Sequence, residues 1–470
     1  MTLEDVLNNI PEEGIDAENP GNYQTLLQDL QGGILEGHGR HLSVHLFLKF
    51  NDGQIDTVKE WIQNFALKYV TSAKQRSDEA VRYRSEKIPG GLFANFFLSR
   101  HGYEYLNFLP VTIPQDDAFR RGMKNEDVIN NLGDPAVEEW EPGFQKNIHA
   151  LVIMADDDRD NLLMNVNTIK QELSQISEIV HLDDGFVLKN EARQTIEHFG
   201  FVDGISQPLF LKRDIDQARK ESDFSKWDPR ASLNIVLVKD PNGQTEDSYG
   251  SYLVYRKLEQ NVKGWKEDVQ TLAEKLSISA DLAGALIMGR FQDGTPVTLS
   301  DKAIGTLNDN FNYDLDEKGT KCPFHAHIRK TNPRGDTGQV ESSPGFSESL
   351  KMEKDNRIAR RAISYGENNT EEEPTQGSGM LFMCFQADIN KQFNFMQSAW
   401  ANEKNFVKVN VGRDPVIGQG KENQNQKWPK KWGESEIMDC NFNQRVTMKG
   451  GEYFFAPSLS FLKTLGITKS

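Results

Sequence analysis

Cysteine is nearly absent from this sequence. Cys322, Cys384 and Cys440 are scattered over 470 positions with no CxxC pair; that is too few for a disulfide framework or a thiolate metal site, so they read as reduced thiols. Histidine is scarce as well, at nine residues. No stretch approaches the ~20 consecutive apolar residues that a membrane-spanning helix needs, so no membrane association is expected. The opening MTLEDVLNNIPEEG is acidic and polar where a secretory signal carries a basic patch and then an apolar run, and the expected location is cytoplasmic. Cations are in deficit. Only 54 Lys and Arg face 70 Asp and Glu, a formal charge of −16, which argues against a nucleic-acid partner and for a self-repelling, soluble surface.

What is there is a globular chain, 37% apolar and 26% charged, long enough for a large core and two domains. Alternation in HLSVHLFLKF (41–50) predicts a strand, and apolar spacing in residues 56–70 predicts a helix. Residues 147–158, 161–176 and 178–188 repeat the order as strand, helix and strand. A polar bridge at 211–232 precedes strands at 234–241 and 251–258 and a helix at 267–276. A strand at 379–388, a helix at 389–402 and a late strand and turn at 450–462 complete the pattern. The fold class is α+β, divided into domains at 1–220 and 221–470. The segments 367–379 and 418–436, rich in Gly, Asn and Glu, read as long surface loops.

The histidines pose the chemical question. CPFHAHIRKTNPR (322–334) sets His325 and His327 two residues apart among cations and prolines. Extended, they share a face as two ligands of one metal would; helical, they diverge by about 200°. A non-haem HxH metallohydrolase is one reading. The census weakens it, since no histidine follows His327 and the earlier ones form no ligand-spaced cluster. A pair of core or surface histidines is the plain alternative.

Two further stretches bear on the choice. In HFGFVDGISQP (198–208), Gly200 and Gly204 bracket Asp203, so the backbone can turn tightly and approach a flat partner while the carboxylate projects into it. Alone, this is also an ordinary Asp-Gly turn. In RIARRAISYG (357–366), Arg360 and Arg361 are neighbours in a strand-like run and must face opposite sides. An inward guanidinium keeps its charge and needs a carboxylate or an anionic cofactor.

Taken together, GFVDG (200–204), AHIRKTNPR (326–334) and RIARRAISYG (357–366) resemble, in order and separation, the dye-decolorizing (DyP-type) peroxidases, most closely the longer, intracellular bacterial C/D-type branch. QGGILEGHGR (31–40), GRFQDGTP (289–296), GMLFMCFQADI (379–389) and GGEYFFAPSLSFL (450–462) extend the likeness almost end to end. The resemblance implies two ferredoxin-like domains with antiparallel sheets, and haem b, one per chain, held mainly in the C-terminal half. His327 is then the proximal iron ligand. His325 stands where the family commonly has a small residue. Asp203 is implied as the distal acid/base and Arg360 as the distal arginine, with Arg361 pointing away. The backbone of Gly204, Ile205 and Ser206 is expected against the haem edge, and Phe382 on the distal wall. Asp388 is expected to accept a hydrogen bond from His327, with Asn332 as rival. Cys322 is a minor rival axial ligand.

The implied activity is oxidation of bulky dyes and phenolic or other aromatic donors by hydrogen peroxide in one-electron steps. Trp400 and Trp432 are among the residues through which electrons can leave. A haem-transfer protein without turnover needs His327 but neither Asp203 nor Arg360. Homo-oligomerisation stays open.

Overall fold

The computed structural model describes residues 13–367, 373–420 and 426–466. Most of the acidic opening and parts of the two expected loops, 368–372 and 421–425, lie outside the described residues. Ten strands matter for the site: β1 (Leu42–Phe50), β2 (Phe93–Leu98), β3 (Ala150–Asp156), β4 (Ser177–Phe186), β5 (Tyr249–Gln260), β6 (Ile363–Tyr365), β7 (Gly379–Gln386), β8 (Gln426–Pro429), β9 (Ile437–Cys440) and β10 (Val446–Ala456). Four helices matter with them: α1 (Ile55–Lys68), α2 (Arg159–Leu173), α3 (Val262–Leu276) and α4 (His327–Thr331). Helix α1 buries Val58, Trp61, Ile62, Phe65 and Ala66, the stripe its apolar spacing predicts. Helix α3 starts earlier than the expected 267, because the Asn261 side chain accepts the Gly264 amide at 2.8 Å and brings Trp265 onto the buried face.

The topology repeats itself. β1–α1–β2–β3–α2–β4 forms a sheet in the order β2-β3-β1-β4, and β5–α3–β6–β7–β10 forms one in the order β10-β5-β7-β6. Each is the antiparallel ferredoxin-like arrangement. β4 joins β6 through Phe186↔Ser364 and Gly185↔Tyr365, and β10 meets β2 at Phe455↔Leu98. The two sheets thereby close into one antiparallel barrel of eight strands, which removes exposed edges.

His45 on β1 lies opposite Asp183 on β4 and bonds the Tyr255 hydroxyl of β5 at 3.1 Å. These strands are not all neighbours, so the contact crosses the barrel interior. Lys257 completes this buried network, reaching Asp183 at 2.7 Å and Glu141 at 2.8 Å. Since side chains alternate along a strand, the β5 residues Arg256, Leu258 and Gln260 point outward, together with their partners Phe382 and Met380 on β7. That outer face of β5 and β7 is the floor of the site.

Three expectations are corrected. The strand at 234–241 shrinks to Val238–Lys239 after a tight turn at Leu233–Ile235, and the polar bridge contains a helix, Lys212–Arg219. The 418–436 loop holds β8, which pairs with β9 as a hairpin and buries Trp428 completely, its indole donating to the Cys440 carbonyl at 2.9 Å. Lys427 and the lysines after Pro429 hide this inward residue from any averaged reading of polarity.

Candidate active site

A cavity stands on the outer face of β5 and β7. Residues 197–206, Met288 and Arg290, α4, Arg360, and the segments around 393–397 and 416–419 enclose it. His327 reaches it because Ala326 is extended and His327 opens α4. The next residues anchor that short helix. Arg329 is buried between Asp316 and Asp336, and the Lys330 ammonium donates to the Glu403 and Phe406 carbonyls at 2.7 and 2.5 Å. Burial pushes Lys330 down to about 7.

His327 Nδ1 is 2.8 Å from Asp414 Oδ2. The other oxygen of Asp414 accepts the Val416 and Ile417 amides at 2.7 and 3.1 Å, so this buried carboxylate is fixed and leaves His327 Nε2 for the cavity. The expected partner, Asp388, is not there. β7 ends at Gln386 and the chain turns, so that Asp388 instead accepts the Lys391 amide at 2.9 Å at the start of the following helix, off the cavity wall. Asn332 lines the cavity without bonding His327. Asp414, in GRDPVIGQG (412–420), was missed by sequence reasoning. The usable signal is an Asp two residues before an amide it can cap.

His325 does not join His327 at a common metal. Its ring is fully buried, edge-on to Trp428 at 4.2 Å, and burial holds it neutral down to about 3. Cys322 is buried off the cavity, its thiol pushed up to about 12 by burial. Among the described residues the three-ligand cluster is Glu141, His181 and Asp183, and Lys257 already bridges its two carboxylates.

Asp203, Gly204, Ile205, Ser206, Arg360 and Phe382 all line the cavity. Arg360 Nη2 donates to the Ile205 carbonyl at 2.8 Å. Arg361 turns the other way, where Gly33 and Ile34 carbonyls receive its guanidinium at 2.6 and 2.8 Å. That accounts for the Gly-rich stretch at 31–37, since Gly33 adopts φ +88 to present its carbonyl. At another part of the wall, Arg290 and Arg334 share one carboxylate, Asp309, at 2.8 and 2.6 Å, and Arg334 also binds the Ser206 hydroxyl at 2.8 Å. Two guanidiniums on one carboxylate leave the wall electropositive. An imidazole facing the cavity, an apolar slot between Ile205, Leu258, Ile328, Phe382 and Met396, and surplus positive charge fit a flat, anionic macrocycle such as haem.

Comparison with known proteins decides the family. The family model described as the DyP dimeric alpha+beta barrel domain matches residues 29–186, and that of the Dyp-type peroxidase C-terminal region matches 198–409. The chain belongs to the DyP-type peroxidases. The multifunctional dye peroxidase DyP2 of Amycolatopsis sp. is 38% identical over 95% of this chain and 97% of its own. AauDyP1, a dye-decolorizing peroxidase of Auricularia auricula-judae, is 31% identical over 92% and 85%. Among solved structures, the DyP-type peroxidase AnaPX of Anabaena sp. superposes with a TM-score of 0.96 at 62% identity, covering 98% of this chain and 99% of that one. These bacterial neighbours fit the C/D-type branch. This DyP-type enzyme is thus a haem-dependent peroxidase acting on dyes, and no helix among its described residues is long and apolar enough to cross a membrane.

Proposed function

We propose that this peroxidase holds one haem b per chain on His327, uses hydrogen peroxide as oxidant, and assigns proton transfer to Asp203 and charge stabilisation to Arg360. The observation that carries the reading is the meeting of these three side chains, from distant parts of the sequence, in one cavity. When bound, haem would supply the redox chemistry that couples reduction of peroxide to one-electron oxidation of the donors. Asp414, accepting the Nδ1 proton, makes the His327 imidazole a stronger donor. The Asp203 carboxylate takes a proton from one peroxide oxygen and delivers it to the other. Arg360, held by the Ile205 carbonyl, presents its remaining N–H groups to the negative charge that develops on the departing oxygen. Arg290 and Arg334 suit the anionic edge of the macrocycle.

The donors are bulky dyes and phenolic or other aromatic molecules. A haem carrier without turnover has no use for Asp203 and Arg360, and their presence at the cavity favours the enzyme. Three buried, unbridged cysteines are in keeping with the cytoplasm.

The test compares His327→Ala with His325→Ala after haem reconstitution. Expected are loss of the histidine-ligated absorption spectrum and of peroxide-dependent dye oxidation in the first, and their retention in the second. Loss of haem from the His325 variant, with a normal spectrum in the His327 variant, overturns the assignment.

A further inference from the structure

Glu197 has no part in the chemistry above, yet it is tied to the loop that carries Asp203. It lines the cavity and is 9% exposed. One carboxyl oxygen accepts the Phe199 amide at 2.8 Å and the Gln260 side-chain amide at 2.6 Å; the other accepts the Phe201 amide at 3.0 Å. The backbone doubles the tie, with Gly200 N–H donating to the Glu197 carbonyl at 2.8 Å and Glu197 N–H to the Phe201 carbonyl at 3.1 Å. Gly200 takes φ +95 to close this turn, and a Cβ there would meet the Gln292 amide at 2.9 Å. Asp203, two residues beyond Phe201, continues the pattern by donating its amide to the Thr195 carbonyl at 3.0 Å. One carboxyl group therefore clasps the loop 198–203 from inside and fastens it to β5.

A second observation concerns Gln260. Its Oε1 is buried with no hydrogen-bond partner. While Glu197 is a carboxylate, the Gln260 amide nitrogen serves it. If Glu197 holds a proton, the amide can turn so that its orphaned oxygen receives the new O–H, which satisfies a buried acceptor. Burial pushes Glu197 up to about 7, against the pull of its amide donors, and the negative charge of Asp203 acts in the same upward direction. Asp203, from its own loop, is the charged group that acts on Glu197; elsewhere on the cavity wall Arg256 is neutralised by Asp134, and His198, next in sequence, has its ring on the Tyr365 carbonyl.

We propose that Glu197 is a positioning residue for Asp203, a proton-responsive clasp that fixes the loop to β5 and sets where the Asp203 carboxylate stands. The proposal rests on the reading of Asp203 as the proton carrier.

Its test uses the haem-loaded protein and the variants Glu197→Ala, Glu197→Gln and Asp203→Asn. Hydrogen exchange of the 198–204 amides reads the clasp without turnover; it is expected to speed up about tenfold in Glu197→Ala and to stay unchanged in Asp203→Asn. An infrared band of a protonated carboxyl group is expected to grow as pH falls through about 7 and to be missing in Glu197→Gln. The bimolecular rate with hydrogen peroxide is expected to fall about tenfold in Glu197→Ala, and any pH step near 7 to vanish in Glu197→Gln. Unchanged exchange in Glu197→Ala overturns the clasp. An unchanged peroxide rate there, while Asp203→Asn loses its rate, overturns the positioning role. If Asp203→Asn keeps its rate, the reading of Asp203 has failed instead, and exchange and infrared data alone decide the clasp. Should Glu197→Ala not fold, the isosteric Glu197→Gln decides through its infrared band, exchange and pH profile.

Discussion

Arg360 and Arg361 are chemically identical and adjacent, yet their surroundings assign them different work. Arg360 borders the cavity with one N–H on the Ile205 carbonyl, whereas Arg361 is wrapped by the Gly33, Ile34 and Arg360 carbonyls, and burial pushes it down to about 10. Arg360→Leu is expected to slow the reaction with hydrogen peroxide by about 10²–10³, the typical loss for one charge-stabilising donor. Arg361→Leu is expected to spare that rate and to cost about 2–3 kcal/mol of stability through stranded buried carbonyls. Stopped-flow spectroscopy and chemical denaturation of both variants separate the two roles, and a larger rate defect at 361 reverses them. The carboxylate behind His327 gives a second measurement at this scale. Asp414→Asn preserves shape but weakens the pull on Nδ1, and a loss of about 10–100-fold in haem affinity or peroxidase activity is expected; Asp388→Asn is expected to change neither, because Asp388 caps Lys391 instead.

At the scale of elements, what was legible in the sequence follows its periodicity. The strands 42–50, 150–156, 177–186 and 249–260 and the helices 55–68 and 159–173 sit close to where alternation and apolar spacing place them. The helix expected at 389–402 forms, but with wide turns: Asn394 N–H reaches the Ile389 carbonyl and Asn402 N–H that of Gln397, each five residues back. Such widening, frequent at functional sites, brings Phe393, Met396 and Gln397 together on the cavity wall, and no one-dimensional pattern encodes it. Local turns and strand alternation left His327, Asp203 and Arg360 as candidates among others; the family resemblance singled them out, and all three line the cavity. Asp414 and Glu197 escaped, since each works through contacts that only the folded chain supplies. The β8/β9 hairpin escaped because its few apolar residues are spaced among lysines and glutamates with no strand alternation to mark them. Its Trp428 offers a check: Trp428→Ala removes a fully buried indole packed on His325 and is expected to cost about 3–5 kcal/mol. A loss of unfolding free energy in denaturant smaller than about 1 kcal/mol would show that the hairpin is dispensable to the fold.

For the molecule as a whole, four buried or half-buried histidines contribute to the response to acid. Burial holds His38 and His325 down to about 3 and His45 and His149 to about 4. In the unfolded chain a histidine takes its proton near about 6.5. Across that window the unfolded state binds more protons, so stability falls as pH drops from about 6.5 toward 4, by up to about 1.4 kcal/mol per pH unit for each histidine. Glu197 acts oppositely over part of the range, so the histidine share is read as the difference between parent and His325→Gln. The variant is expected to show the shallower acid slope in denaturant midpoints, and equal slopes would remove His325 from the account. The closed barrel has a consequence in time. Leu98 on β2 finds its partner in Phe455 on β10, more than 350 positions later. At about 5–20 residues per second on a ribosome, roughly 20–70 s pass between the synthesis of the two partners. Throughout that interval the nascent first half carries an open, apolar β2 edge, which stays open longer than the β4 edge that β6 covers, so a cell making this enzyme must guard β2 longest against misjoining, and β2 is where a holding chaperone or a β10-like peptide would act.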